Sequence, residues 1–305
     1  MRNTQKSMMS GKRKDVIFYV LMMAFPVIQF IVFYIVVNGG SFLLAFQNIN
    51  IVTNTTTWTF DSVARMAKML VTDHGMLTIL KTSFVSYLLL LIIGTPLGLL
   101  FSYYIFKKLP LSGAFRVILF LPSIISAIVM VTIFQFIVER AVPELVRLLF
   151  HKTIPGLMEN TATRFGTVIF YNIWVGFGTG VLMYANGMSG ISQEIIDAAH
   201  VDGATGFREF WSITLPSIFP TLSTFVITGV AGIFTSQMNL FSFYGGAAPE
   251  DLQTFGYYLY MHTAAAASRA EYPDVAALGL LLSCVAIPLT MLVKWAMEKF
   301  GPSAD

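Results

Sequence analysis

Glu194 to Pro216 reads E-I-I-D-A-A-H-V-D-G-A-T-G-F-R-E-F-W-S-I-T-L-P and lies between two strongly apolar stretches. Ser192 is placed to cap a helix whose first turn holds Glu194, where the positive end of the helix dipole favours a carboxylate. That helix is predicted to end near Val201, with Asp202-Gly203 as its stop and Gly203 in the left-handed conformation. A second short helix is predicted to carry Phe207, Phe210 and Trp211, and Leu215-Pro216 marks the start of the next apolar run. Ala198 and Ala199 allow close backbone approach. Two short helices bearing Glu194, Asp197 and Asp202 beside an aromatic run form a knob suited to a groove in another protein.

The sequence around this knob is membrane-like. Hydrophobic residues make up 56% of the chain, charged ones 11%, and mean hydropathy is +0.72, which is too apolar for a soluble domain of 305 residues. Six segments are long enough to cross about 30 Å of hydrocarbon: Val16 to Val37, Thr82 to Phe106, Val117 to Val138, Gly166 to Asn186, Ile218 to Leu240 and Val275 to Val293. None contains Asp, Glu, Lys, Arg or His, and no alternating barrel pattern is present. The predicted organisation is a tail over 1–15, a first span over 16–37, an outer loop over 38–81, a membrane core over 82–300 containing the knob at 190–216, and a tail over 301–305.

The first span follows Lys12, Arg13 and Lys14 but is too long for a signal-peptide core and lacks a small-x-small cleavage site, so it reads as an uncleaved anchor. With the N-terminus inside, eleven basic residues (Arg2, Lys6, Lys12, Arg13, Lys14, Lys107, Lys108, Arg116, Arg208, Lys294, Lys299) face the cytoplasm against eight outside, which places both termini and the knob inside. Within the outer loop, Thr/Asn-rich Asn48 to Thr59 precedes Val63, Met66, Ala67, Leu70 and Val71 at helical spacing, an amphipathic helix with Asp61 or Thr59 near its cap. A long outer loop from Gly245 to Asp274 is predicted to hold a helix over Thr254 to Ala267. Pro220 and Pro288 are predicted to kink their spans.

Catalytic signatures do not emerge. There is no G-x-x-x-x-G-K-[ST] loop for nucleotide phosphates, and His74, His151, His200 and His262 are scattered among the connections rather than set at metal-ligand spacing, as surface residues would be. Cys284, the single cysteine, lies in the last span, where packing is its role.

Several stretches together resemble one family. D-A-A-x-x-D-G-A at Asp197 to Ala204, F-x-x-F at Phe207 to Phe210 and I-T-L-P-S-I-F-P at Ile213 to Pro220 resemble the cytoplasmic "EAA" loop of binding-protein-dependent ABC importer permeases, in the sugar and glycerol-phosphate branch that includes the maltose system. Lys81-Thr82-Ser83, the run Arg116 to Pro122, Asn172-x-Trp174-x-Gly176 and Gly245-Gly246 fall in that family's order, over roughly Thr82 to Phe300. The resemblance implies an all-α integral membrane protein of six transmembrane helices in the type I ABC importer permease fold, with the knob as its cytoplasmic coupling helix. It implies ATPase contact through Glu194, Asp197, Ala198, Ala199, Asp202, Gly203, Ala204, Phe207, Arg208, Leu215 and Pro216. Partners so implied are a second homologous permease, two cytoplasmic ATPase subunits that bind ATP and Mg, an extracytoplasmic solute-binding protein and membrane lipid. The chain itself would need no cofactor and would catalyse nothing. Two departures stand out: Asp197 replaces the family's Glu, and G-G-x-P appears as G-G-A-A-P.

Spans without ionisable groups argue against a proton or ion relay, and their Asn, Gln, Ser, Thr, Tyr and Trp suit an uncharged, polyhydroxylated solute such as a sugar or oligosaccharide. Asn172, Val175, Gly176 and Thr179 share one face of the fourth span and match positions where the family's sugar-contacting members line the path. Thr235, Ser236, Gln237 and Asn239 are the candidates in the fifth span, with helix packing as the competing role for all eight. An ion- or proton-coupled secondary transporter or channel is the alternative reading, and a membrane-embedded enzyme the third.

Overall fold

Charge-free apolar runs satisfy their backbones internally, so the chain is predominantly helical. The computed structural model describes residues 2–51, 53, 55–264 and 268–302, with side chains from Lys14 onward. The side chains of Arg2, Lys6, Lys12 and Arg13, the last three residues of both the predicted Thr254 to Ala267 helix and the C-terminal tail lie outside the described residues. Among the described residues the helices long and apolar enough to cross a membrane are α1 (Lys14–Leu44), α3 (His74–Phe106), α6 (Thr161–Met188) and α11 (Arg269–Phe300).

The remaining two apolar segments are bent pairs rather than single rods. Where the sequence predicts one span over Val117 to Val138, α4 (Ser112–Ile124) and α5 (Ala127–Phe150) meet at 105°. Ile125 and Ser126 at the elbow are extended, with ψ of 144° and 136°, so the helical ladder stops there. The predicted span over Ile218 to Leu240 is also corrected: α8 (Phe207–Ser217) turns by 66° into α9 (Phe219–Ala231), and Gly232 to Asn239 is a series of turns. Pro216 sits inside α8, while Pro220 occupies the first turn of α9, where its missing N–H costs nothing, so the bend falls at Ile218 just before it.

Two compact units divide the chain, Met1–Lys68 with Ala266–Leu281 and Met69–Ala265 with Leu282–Asp305. In the first, the apolar side chains of α1 from Val16 to Val37 are exposed. The Thr/Asn-rich segment forms an antiparallel hairpin instead of a loop, β1 (Gln47–Asn50) on β2 (Thr55–Trp58), paired from Gln47 with Trp58 to Asn50 with Thr55. Then α2 (Asp61–Thr72) begins where the Thr59 hydroxyl accepts the Asp61 N–H at 3.2 Å, and Arg65 reaches Asp274 at 2.6 Å.

In the second unit α6 is the axle, with α3 and α4 packed along it. Gly178 makes the α4 contact close: a Cβ there would lie 2.0 Å from the Leu119 carbonyl oxygen. Small residues permit such backbone approach where lipid offers no hydrophobic drive for association. Val131 and Phe134 of α5, Tyr171 of α6, and Leu240 and Phe243 of α10 (Leu240–Tyr244) form the principal apolar cluster. Near the other end of α6, Leu99, Tyr184, Met188, Phe210 and Ile218 form a second cluster beneath the connection between α6 and α9.

Candidate functional site

The connection folds from its local chemistry. Helix α7 (Gln193–Val201) starts at Ser192, whose Oγ accepts the Ile195 N–H at 3.4 Å. It ends on Gly203 at φ +76°, with the Ala204 N–H donating to Ala199 O at 2.8 Å and the Gly203 N–H to His200 O at 3.0 Å. That pair of bonds is a Schellman motif, which satisfies the last carbonyls of the helix.

The predicted contact residues divide between two faces. Glu194, Asp197, Ala198, Asp202, Gly203, Phe207 and Arg208 are exposed; Ala199 and Ala204 are buried, and Leu215 and Pro216 half-buried. Asp197 accepts from Gln193 Nε2 at 2.9 Å within its own helix. Exposed apolar side chains accompany this outward face: Val201 at 88%, Phe207 at 66%, Trp211 at 54% and Ile195 at 49%. Together they give this polar connection between spans an exposed apolar face.

Glu209 is the residue that sequence reasoning overlooked. It is fully buried, and its carboxylate receives Lys107 Nζ at 3.0 and 2.9 Å while His200 Nε2 stands 2.8 Å away. Burial pushes the Glu209 pKa up, but the hydrogen bonds from His200 and Lys107, with their charges, hold the carboxyl below its ordinary value. The arrangement ties α7 and α8 to Lys107, just past the end of α3. Tyr103 of α3 adds a hydrogen bond to Gly206 O at 2.9 Å and rests its ring 5.1 Å from that of Phe210. His200, expected as an ordinary surface residue, is thus part of the tie.

Residues proposed for the path are only partly brought together. Asn172 donates to Val168 O at 2.9 Å and Met238 O at 3.0 Å and accepts from Asn239 Nδ2 at 2.8 Å, so its amide is spent joining α6 to the turns after α9. Asn172 and Gly176 line a cavity of about 300 Å³ between α3 and α6; Val175 packs on the principal apolar cluster and Thr179 is exposed. Thr235, Ser236, Gln237 and Asn239 lie in the turns rather than on a span helix. Ser236 lines a second cavity, of about 350 Å³, between α3 and α9; Thr235 instead donates to Gly232 O at 3.1 Å, and Gln237 lines neither cavity.

Residues 92–305 match the model of the family described as binding-protein-dependent transport system inner membrane component. The multiple sugar-binding transport system permease protein MsmF of Streptococcus mutans is 26% identical over 248 residues, covering 80% of this chain and 84% of MsmF. The arabinooligosaccharides transport system permease protein AraP of Bacillus subtilis is 25% identical over 207 residues, 66% of this chain and 65% of AraP. A chain of a bacterial ABC transporter involved in the import of the acidic polysaccharide alginate superposes with a TM-score of 0.78 at 20% identity, over 96% of this chain and 99% of that one, which is a likeness of fold.

Proposed function

The chain belongs to the family of binding-protein-dependent transport system inner membrane components, and from that membership we propose that it forms the path for a sugar or oligosaccharide in an ATP-driven importer. The names of MsmF and AraP support a saccharide, as do spans offering hydroxyls, amides and aromatic rings without charge. In this reading the chain pairs with a second permease and receives solute from an extracytoplasmic binding protein. Both termini lie in the cytoplasm, and two ATPase subunits there hold the ATP and Mg.

The observation carrying the reading is the knob itself: α7 and the start of α8 present Ile195, Val201, Phe207 and Trp211 outward beside Glu194, Asp197 and Arg208. That composition, apolar centre with a charged rim, is what a partner's groove takes up. The same knob is tied to α3 through Glu209 and Lys107 and runs through α8 into α9, so a push on it moves spans.

The test is co-purification of the neighbouring ATPase with a tagged form of this chain from membranes, then saccharide uptake in proteoliposomes with ATP enclosed. Val201→Asp, which sets a charge in the centre of the outward face, is expected to release the ATPase and stop uptake. An ATPase that never co-purifies, or uptake that runs without ATP and collapses with an ion gradient, would overturn the proposal in favour of ion coupling.

A further inference from the structure

We propose that the groove between the start of α9 and the end of α11 seats the headgroup of a phospholipid carrying both a phosphate and a primary ammonium, as in phosphatidylethanolamine. The phosphate sits on Ser223 and Lys294, the ammonium on Glu298. The inference rests on the reading above only for the side of the membrane, since it takes this end of α11 as cytoplasmic. The groove encloses about 380 Å³ and is lined by Phe219, Ser223, Ile227, Lys294, Met297 and Glu298 among others. The end of the chain closes tightly on α9: a Cβ on Gly301 would lie 2.0 Å from Phe219 Cε1. Pockets of roughly 300 to 1,000 Å³ with apolar walls and a few placed polar groups hold small ligands, so this one takes a headgroup while the acyl chains stay outside.

Three polar groups of the groove are not spent on the protein itself. Ser223 Oγ is buried and has no hydrogen-bond partner among the described residues, whereas its neighbour Thr224 donates to Pro220 O at 2.8 Å. A buried hydroxyl in that state costs free energy that an acceptor such as a phosphate oxygen recovers. Lys294 Nζ stands 3.7 Å from Glu298 Oε1, beyond hydrogen-bond length, and lysine four residues ahead of glutamate is the weaker order for such a pair. Glu298 lies in the last turn of α11, where the negative end of the helix dipole favours a cation beside it. Lys299 is held by rings, 4.7 Å from the centre of Trp295 and 5.6 Å from that of Phe300, so the groove offers one cation and one anion in balance. An anionic headgroup would set uncompensated negative charge against Glu298; a zwitterion satisfies both groups. The depth agrees. Val285, Met291, Leu292 and Trp295 are exposed along α11 up to this point, an apolar track for acyl chains, and an indole beside a lysine marks the boundary of membrane and water.

The experiment places the complete transporter in nanodiscs of equal phosphatidylethanolamine, phosphatidylglycerol and phosphatidylcholine and reads the retained lipid by native mass spectrometry. Ser223→Ala with Lys294→Gln is expected to lower retention of phosphatidylethanolamine about fivefold and to leave the other two unchanged. Glu298→Lys makes the groove dicationic and is expected to exchange that lipid for phosphatidylglycerol, a switch that mere loss of packing does not produce. Assembly of each variant is verified by co-purification of the ATPase. Retention of all three lipids within about twofold of wild type in both variants overturns the site. So does a benzophenone on Met297→Cys that cross-links to the sister permease and not to lipid, which would make the groove a subunit contact. The side of the membrane is read separately: Met297→Cys, made with Cys284→Ser, is expected to resist a membrane-impermeant maleimide in sealed right-side-out vesicles until they are opened. Labelling from outside would overturn the orientation in the reading above, while the headgroup contact stands or falls by the mass spectra.

Discussion

Replacing Glu209 with alanine tests whether the knob is held to α3 as a rigid lever. The carboxylate collects two hydrogen bonds from Lys107 and one at His200, and it is wholly inaccessible. Removing one member of a fully buried ion pair costs roughly 3–5 kcal/mol. Here the surviving partners are better placed: the Lys107 side chain is 26% exposed and that of His200 41%, so water takes over part of their solvation. A loss of about 2 kcal/mol is therefore expected, which at about 1.36 kcal/mol per factor of ten is roughly thirtyfold in the opening equilibrium of the knob. Hydrogen exchange on the purified transporter reads this directly. Amides of α7 should exchange about thirtyfold faster, while those of Val168 to Tyr171 in the principal cluster keep their rates. The companion variant Lys107→Met with Glu209→Leu removes both charges and should recover part of the protection. Exchange in α7 that stays within twofold of wild type in Glu209→Ala would refute the tie.

Acid acts on the same group: a carboxyl whose folded pKa is depressed stabilises in full above its ordinary value of 4.5 and loses that contribution as pH falls below it, so protection of α7 should decline below pH 4.5 and less so in Glu209→Gln. Gly203→Val places a β-branched residue at φ +76°, a cost of about 1–2 kcal/mol, and is expected to leave membrane insertion normal while saccharide uptake falls against ATP hydrolysis. Gly178→Val drives a side chain into Leu119 O and should lower the thermal midpoint of the detergent-solubilised chain, with overpacking costs of about 1–3 kcal/mol. Asn172→Leu strands Asn239 Nδ2 and Met238 O, so it should destabilise by about 2 kcal/mol with little change in the KM of uptake; a large KM rise in a stable variant would make Asn172 a solute contact instead.

What the sequence disclosed was chiefly local. The Ser192 cap and the Gly203 stop depend on residues within four positions, and both stand where their chemistry predicts. Glu209 was hidden because its cation lies 102 positions away, and a lone Glu beside Arg208 looks like a solvated charge. The elbows were hidden for another reason: a hydropathy window averages over Ile125-Ser126 and Ile218, since a residue that leaves the helix scores as it would inside one. The same averaging placed Thr235 to Asn239 on a span. The hairpin at Gln47–Trp58 escaped because threonine serves strands and polar loops alike. Asn172 shows the limit of face arguments, for periodicity gives direction but not whether a turn arrives to meet the side chain.

The elbow between α4 and α5 constrains how the subunit stands among its neighbours. At Ile125 the chain leaves the helical ladder, which resumes where the Ser126 carbonyl accepts the Met130 N–H at 2.9 Å, and both residues are exposed. Hydrocarbon tolerates no stranded amide or carbonyl, each costing several kcal/mol. The corner therefore turns its back on the lipid annulus, toward a wetted vestibule or an adjoining chain. A break in hydrogen bonding thereby restricts which side of this helix pair can face lipid.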